Sequence, residues 1–117
     1  MPIFFSYVSL HLRSCSLLLF VVDLSDVARF SEALVLFLDA LAHPDMVNKP
    51  ILLVLNKLSV APSQNLGLFK DMLDLEPLLK QERAKGRRIE SLEGDAVRGT
   101  FAASVFGEAQ ALLGKRH

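Results

Sequence analysis

Two short, unbroken apolar runs constrain this chain more than any other feature: Leu17-Leu-Leu-Phe-Val-Val-Asp23 and Ile51-Leu-Leu-Val-Leu-Asn-Lys57. Each is continuous rather than alternating, the pattern of a strand covered on both faces, as in a parallel sheet. Between them Val27, Phe30, Ala33, Leu34, Phe37, Leu38 and Leu41 recur every three or four residues, which predicts one helix with an apolar stripe and Ser25 or Asp26 as its N-cap. Pro44 and Pro50 bracket the exit loop. Strand, helix and strand make a right-handed βαβ unit, and its two strand C-termini fall on the same edge of the sheet. Asp23 and the pair Asn56-Lys57 therefore share one rim, the place where open α/β sheets hold ligands.

Composition narrows the class. The 117 residues are 51% hydrophobic and 22% charged, enough apolar material for one domain with a real core, which excludes global disorder and a multi-domain machine. Thirteen basic residues balance thirteen acidic ones, so no net positive field draws the chain to nucleic acid or to an anionic membrane. Cys15 has no second cysteine to pair with, which points to a reducing, cytoplasmic setting. His11 and Arg13 precede Leu17–Val22 and Asp23 follows at once, the wrong order for a signal peptide. Six apolar residues are also far short of the roughly 20 that span a bilayer, so no integral membrane segment is expected.

After Lys57 the chain reads as a loop to Asn65 with Pro62 at its middle. Leu68, Met72, Leu75 and Leu79 predict one helical face between Leu66 and Ala84, kinked or split by Pro77 and ended by Gly86. Arg87–Leu92 reads as a short edge strand and Glu93–Gly99 as a loop. Phe101, Val105, Ala109 and Leu112 predict a C-terminal helix over Thr100–Leu113, with Lys115-Arg116-His117 set to favour its last turn.

Asn56-Lys57 is the most informative polar pair. At a strand-end rim an asparagine carboxamide can hydrogen-bond a purine edge, and a lysine stem can cover a ring face while its amine stays solvated. A strand that simply ends in a polar turn explains the same two residues. Their neighbours add to them. Leu17–Asp26, the helix opening Arg29-Phe-Ser-Glu-Ala-Leu34 and Pro50–Lys57 together resemble the central βαβ unit of ADP-ribosylation-factor-like (Arf-like) small GTPases, nearest a divergent branch of that family. The likeness is good from Tyr7 to Lys57. Pro2-Ile-Phe-Phe-Ser-Tyr7 resembles the family's stretch after the second switch. Beyond Leu66 the likeness rests on element order and on Asp95-Ala96-Val97, which stands where the family has its Ser-Ala-Lys loop.

The resemblance implies an α/β, partial P-loop GTPase-type fold: a mostly parallel sheet with flanking helices, its first strand and phosphate-binding loop missing. It also implies GTP or GDP as the ligand and Asn56, Lys57, Ser59 and Ala96 as nucleotide-binding positions, Ala96 through its backbone N–H. The family's Asn-Lys-x-Asp motif stands here as Asn56-Lys57-Leu58-Ser59, without the aspartate that accepts two hydrogen bonds from guanine. Charge-assisted bonds of this kind carry about 1.5–3 kcal/mol each, so about two to four decades of guanine selectivity go with it if nothing compensates. No G-x-x-x-x-G-K-[ST] string exists in the chain. Gly94-Asp-Ala-Val-Arg-Gly-Thr100 has the glycine spacing but no lysine, and Asp95 would repel phosphate. The switch-one threonine and the switch-two Asp-x-x-Gly have no counterpart, so ligands for Mg2+ and for a catalytic water are not found, and no catalytic residue is assigned. The expectation is the C-terminal half of an Arf-like GTPase, with weak or no nucleotide binding and no hydrolysis. The alternative is a pseudo-GTPase, a non-catalytic interaction module for effector or regulatory proteins. Either form is expected to self-associate through exposed sheet edges.

Other candidates read as structural. His11, His43 and His117 flank different elements and do not suggest a shared metal. Cys15 reads as a small hydrophobe. Asp71, Asp74 and Glu76 read as a solvated helical face, and the basic run Lys80–Arg88 as a solvated turn rather than an anion site.

Overall fold

A computed structural model of the chain describes residues 17–95 and 99–114. At its centre Ile51–Asn56 (β2) pairs in parallel with Leu18–Asp23 (β1) on one side and Ile89–Gly94 (β3) on the other. The five residues Ile51 to Leu55 are at most 2% exposed, as a strand flanked on both edges and covered on both faces must be. The fold is α/β, a three-stranded parallel sheet flanked by helices.

Both crossovers run in the same direction along the sheet, so right-handed connections put their helices on one face. These are Phe30–Ala42 (α1), then Gln64–Leu73 (α2) and Leu75–Ala84 (α3). Against this face Phe20, Val22, Ile51, Leu53, Leu55 and Ile89 pack with Phe30, Phe37, Phe69 and Leu79. Phe20 meets Phe37, and Phe30 meets Phe69, edge to face with ring centroids 5.2 Å apart, an arrangement that aromatic quadrupoles favour. The residues of opposite parity, Leu19, Val21, Leu52, Val54 and Leu92, face the final helix, Gly99–Gly114 (α4), through Val105, Ala109 and Leu112.

The structure corrects three expectations from sequence. The helix expected over Leu66–Ala84 is split in two, as Pro77 implies, but it starts earlier, at Gln64, and the break falls at Asp74, three residues before the proline. A proline ring clashes with the carbonyl four residues back, here that of Leu73, so the first helix ends there. Asp74 turns left-handed (φ 55°), and Pro77 sits in the first turn of α3, where a missing N–H costs nothing. The break resets the frame: α2 buries Asn65, Phe69 and Leu73, leaving Leu68 and Met72 about 40% exposed. Neither Ser25 nor Asp26 caps α1; Val27–Arg29 forms a 3-10 turn, and the Ser25 hydroxyl and amide both go to Asp23. The run Lys80–Arg88 is not merely solvated. Arg88 donates to the Leu112 carbonyl at the end of α4, a capping role expected of residues 115–117, which lie outside the described residues together with His11 and Cys15.

Arg87 ties the N-terminal end of the sheet together. Its guanidinium donates to Glu82 Oε1 at 2.8 Å and to the carbonyls of Met46 (2.8 Å), Lys49 (3.0 Å) and Leu41 (3.0 Å), with only 9% of the side chain exposed. Burial pulls the Glu82 carboxyl upward, but hydrogen bonds from Arg87 and Lys85, with their charges, bring it net below its ordinary value. A carboxyl held low contributes stability above its unfolded value of 4.5, and that contribution is lost as pH falls through the folded value. Arg87→Ala strands a buried carboxylate and three carbonyls and is expected to cost about 3–5 kcal/mol in urea unfolding at pH 7. The stability gap between wild type and Glu82→Gln should be widest above pH 4.5 and narrow on acidification. A gap that is independent of pH would contradict the assignment.

Candidate functional site

The register fixes the site's frame, because Asp23, Asn56 and Gly94 are paired across the three strands and end flush on one rim. Leu24 donates to the Asn56 carbonyl and Leu58 to that of Gly94, so the ladder continues into both loops. Asp23 closes β1 with an Asx turn in which its Oδ1 accepts from the Ser25 amide at 2.9 Å and hydroxyl at 2.6 Å. Its other oxygen accepts from Lys57 Nζ at 3.1 Å across the rim. Partial burial pushes the Asp23 carboxyl up, and the Ser25 and Lys57 hydrogen bonds, with the Lys57 charge, bring it net below its ordinary value. It is therefore an anion throughout the neutral range.

Lys57 is held left-handed, with φ 67°, a conformation that costs a residue bearing a Cβ about 1–2 kcal/mol. This turn carries the chain from β2 toward the end of β3. There the Ser59 amide donates to Asp95 Oδ1 at 3.1 Å. The two loops at the C-terminal ends of β2 and β3 are thus joined by a carboxylate-to-backbone bond and the Leu58–Gly94 backbone bond.

Beside this rim, between the end of β1 and the start of α1, lies a cavity of about 480 Å3. Its wall includes Val21, Asp23, Arg29, Phe30, Asn56 and Lys57. Both cations of the wall face carboxylates: Lys57 meets Asp23, and Arg29 meets Asp26 at 3.4 Å and Glu32 at 3.2 Å. A phosphate entering here would have to displace these pairs and approach three acids.

The structure brings the sequence-predicted positions together only in part. Asn56 and Lys57 line the cavity, Ser59 does not, and Ala96 lies outside the described residues. Asp95 stands beside Ser59 and enters the site by contact. Asn65, buried at 5% exposure, was not legible as a site-shaping residue: its Nδ2 donates to the Leu24 carbonyl at 2.8 Å, fastening the loop after β1 to the start of α2. The only sequence signal for it was a polar residue on the buried parity of an amphipathic helix. His43 takes a structural role, its Nδ1 accepting from the Asp45 amide at 3.0 Å. Asp71, Asp74 and Glu76 are exposed, and no cluster of three metal-ligating residues occurs among the described residues. No described helix is long and apolar enough to cross a membrane. Comparison of the chain with protein-family models, with curated proteins and with solved structures finds no match in any of the three.

Lys57→Gly removes the left-handed penalty and gives up an exposed ion pair of about 0–1 kcal/mol. The variant is expected to equal or exceed wild type by up to about 1 kcal/mol in thermal or urea unfolding. A loss larger than that would show that the lysine side chain, rather than its backbone, governs this turn.

Proposed function

We propose that these residues form the base-facing half of an Arf-like small GTPase fold, nearest the branch of ADP-ribosylation factor-like protein 16, and that they contact a guanine base weakly without hydrolysing GTP. The observation that carries the reading is the rim itself. Three parallel strands end flush, Asn56 and a strained Lys57 close the central one, and the loop bearing Ser59 is bonded to the loop after β3. Backbone strain at a strand-end rim persists only where the surroundings over-determine it, and such strain concentrates at binding sites. Asn56 offers both an amide donor and a carbonyl acceptor to a ring edge, and the Lys57 stem offers apolar cover.

Among the described residues nothing comparable serves the phosphates. The sequence holds no glycine-rich loop ending in lysine, and the cations beside the cavity are paired with acids. Binding is therefore carried by the base, which leaves hydrolysis without a positioned phosphate, metal or water. The other reading, a pseudo-GTPase that acts as a non-catalytic interaction module, draws on the apolar side chains left exposed on α1, Val35 at 55% and Leu38 at 40%.

The two readings separate in one titration of the isotope-labelled chain followed by amide NMR. Guanosine 5′-monophosphate and GTP with Mg2+ are expected to perturb the amides around Asn56, Lys57 and Leu58 equally, with dissociation constants near 1 mM, about −4 kcal/mol. No thermal stabilisation is expected at micromolar nucleotide. A shift of several degrees at micromolar GTP would overturn the claim of a base-only site. No amide perturbation at millimolar nucleotide would leave the interaction module.

A further inference from the structure

α1 and α2 lie side by side on one face of the sheet, joined at their bases by Phe30 and Phe69. Each runs back from a strand C-terminus, so the two are parallel and turn in the same sense. At about 100° per residue, the flank that each turns toward the other follows from what its remaining side chains touch. In α1, Glu32 and Ala33 face the cavity beside β1, which puts Leu38 on the opposite flank, toward α2, with Val35 on the lip above it. In α2, Lys70 reaches away to Glu93 of the edge strand β3 at 3.0 Å, which puts Leu68 and Met72 on the flank toward α1. Val35, Leu38, Leu68 and Met72 therefore border one furrow, and they are four of the eight large apolar side chains left exposed among the described residues. Its lips are acidic. Asp39 on α1 and Asp71 on α2 point outward, are exposed, and form no ion pair. The cations of these helices are turned elsewhere: Arg29 to Asp26 and Glu32, Lys70 to Glu93, and Arg83 to Glu90, with Lys80 on the same far flank of α3 as Arg83.

We propose that the furrow between α1 and α2 is a docking site for an amphipathic helix of another protein, one with apolar anchors a turn apart and lysine or arginine beside them. Both walls are helices whose backbone groups bond internally, so the furrow has no main-chain ladder to offer an extended strand and recognises its partner through side chains. Leu68 and Met72, one turn apart, match anchors spaced i and i+4, and the unbranched Met72 side chain adapts to the shape that enters. Asp39 and Asp71 decide the sign of the partner, because an acidic helix would bring like charges together at both lips. They also decide against two other occupants. An anionic lipid surface selects basic patches. A two-fold dimer through this face would set the same acids against their own copies, and α1 contains Glu32 and Asp39 with no basic residue to meet them. The furrow stands apart from the rim, so the proposal holds whether or not the rim takes a base.

The test titrates the isotope-labelled full chain with two synthetic helical peptides of about 14 residues, each with leucines at i, i+4 and i+7. One carries lysines beside the leucines and the other glutamates in their place. The basic peptide is expected to shift the amides around Val35, Leu38, Leu68 and Met72. It should bind about tenfold tighter than the acidic one at low salt and lose that advantage at high salt. Asp39→Lys with Asp71→Lys should invert the preference, and Leu38→Ser with Met72→Ser should weaken both peptides about tenfold or more. All four positions are exposed, and unchanged dispersion of the β1–β3 amides verifies the fold of each variant. Equal binding of the two peptides, a preference that survives the charge reversal, or shifts confined to Asn56–Leu58 overturns the proposal. So does the absence of binding at about 1 mM peptide. A dimer in light scattering that Leu38→Ser with Met72→Ser dissolves gives the face to a second copy and overturns it as well. Nucleotide moves the rim amides and peptide the furrow amides, so failure of one reading is distinguishable from failure of the other.

Discussion

The structure depends on the demand that β2 makes on its surroundings. Five consecutive residues of this strand are buried on both faces, so every backbone group along it must find a partner in a neighbouring strand and every side chain must find cover. One helix layer cannot meet that demand. The chain answers with β1 and β3 on the two edges, α1, α2 and α3 on one face, and α4 on the other. Because the strands are parallel and in register, the same requirement gathers their C-termini at one end. The rim that carries Asp23, Asn56 and Asp95 is a by-product of burying leucines.

The two ends of the sheet are built differently. At the N-terminal end Arg87 and Arg88 satisfy carbonyls from four segments, and Glu82 balances the first of them in a nearly dry setting. Polar groups there are consumed in holding elements together. At the C-terminal end the Lys57–Asp23 pair is half exposed and a cavity opens beside it. Groups with water at hand can exchange partners at little cost, whereas a buried, fully bonded guanidinium cannot. This asymmetry gives a physical reason to look for ligand chemistry at the C-terminal rim and for stability at the opposite one.

Much of this was legible in the sequence, and the failures have identifiable causes. The continuous runs Leu17–Asp23 and Ile51–Lys57 pointed to doubly covered parallel strands, because a strand buried on both faces needs apolar side chains of both parities and these runs are too short for a buried helix. The shared rim followed from the crossover alone. The frame of α2 was misread because Leu68 and Met72 continue a stripe that the break at Asp74 interrupts, and the buried partner, Asn65, is polar. The role of Arg87 was hidden for a different reason. Its acceptors are backbone carbonyls 38 to 46 residues away, which have no signature in side-chain identity. The same holds for Asp95 and Ser59: each reads as a local loop residue until the two strand ends are set side by side.

The central claim is that β2 lies between two parallel neighbours in one register. Cross-strand nuclear Overhauser effects test it most directly. Backbone protons of Leu53 are expected to connect with those around Phe20 on one side and Ser91 on the other, with the pattern running in the same direction along both pairs. Antiparallel connectivities, a shift of one residue in either pairing, or helical contacts within Ile51–Asn56 would dismantle the rim and every function assigned to it.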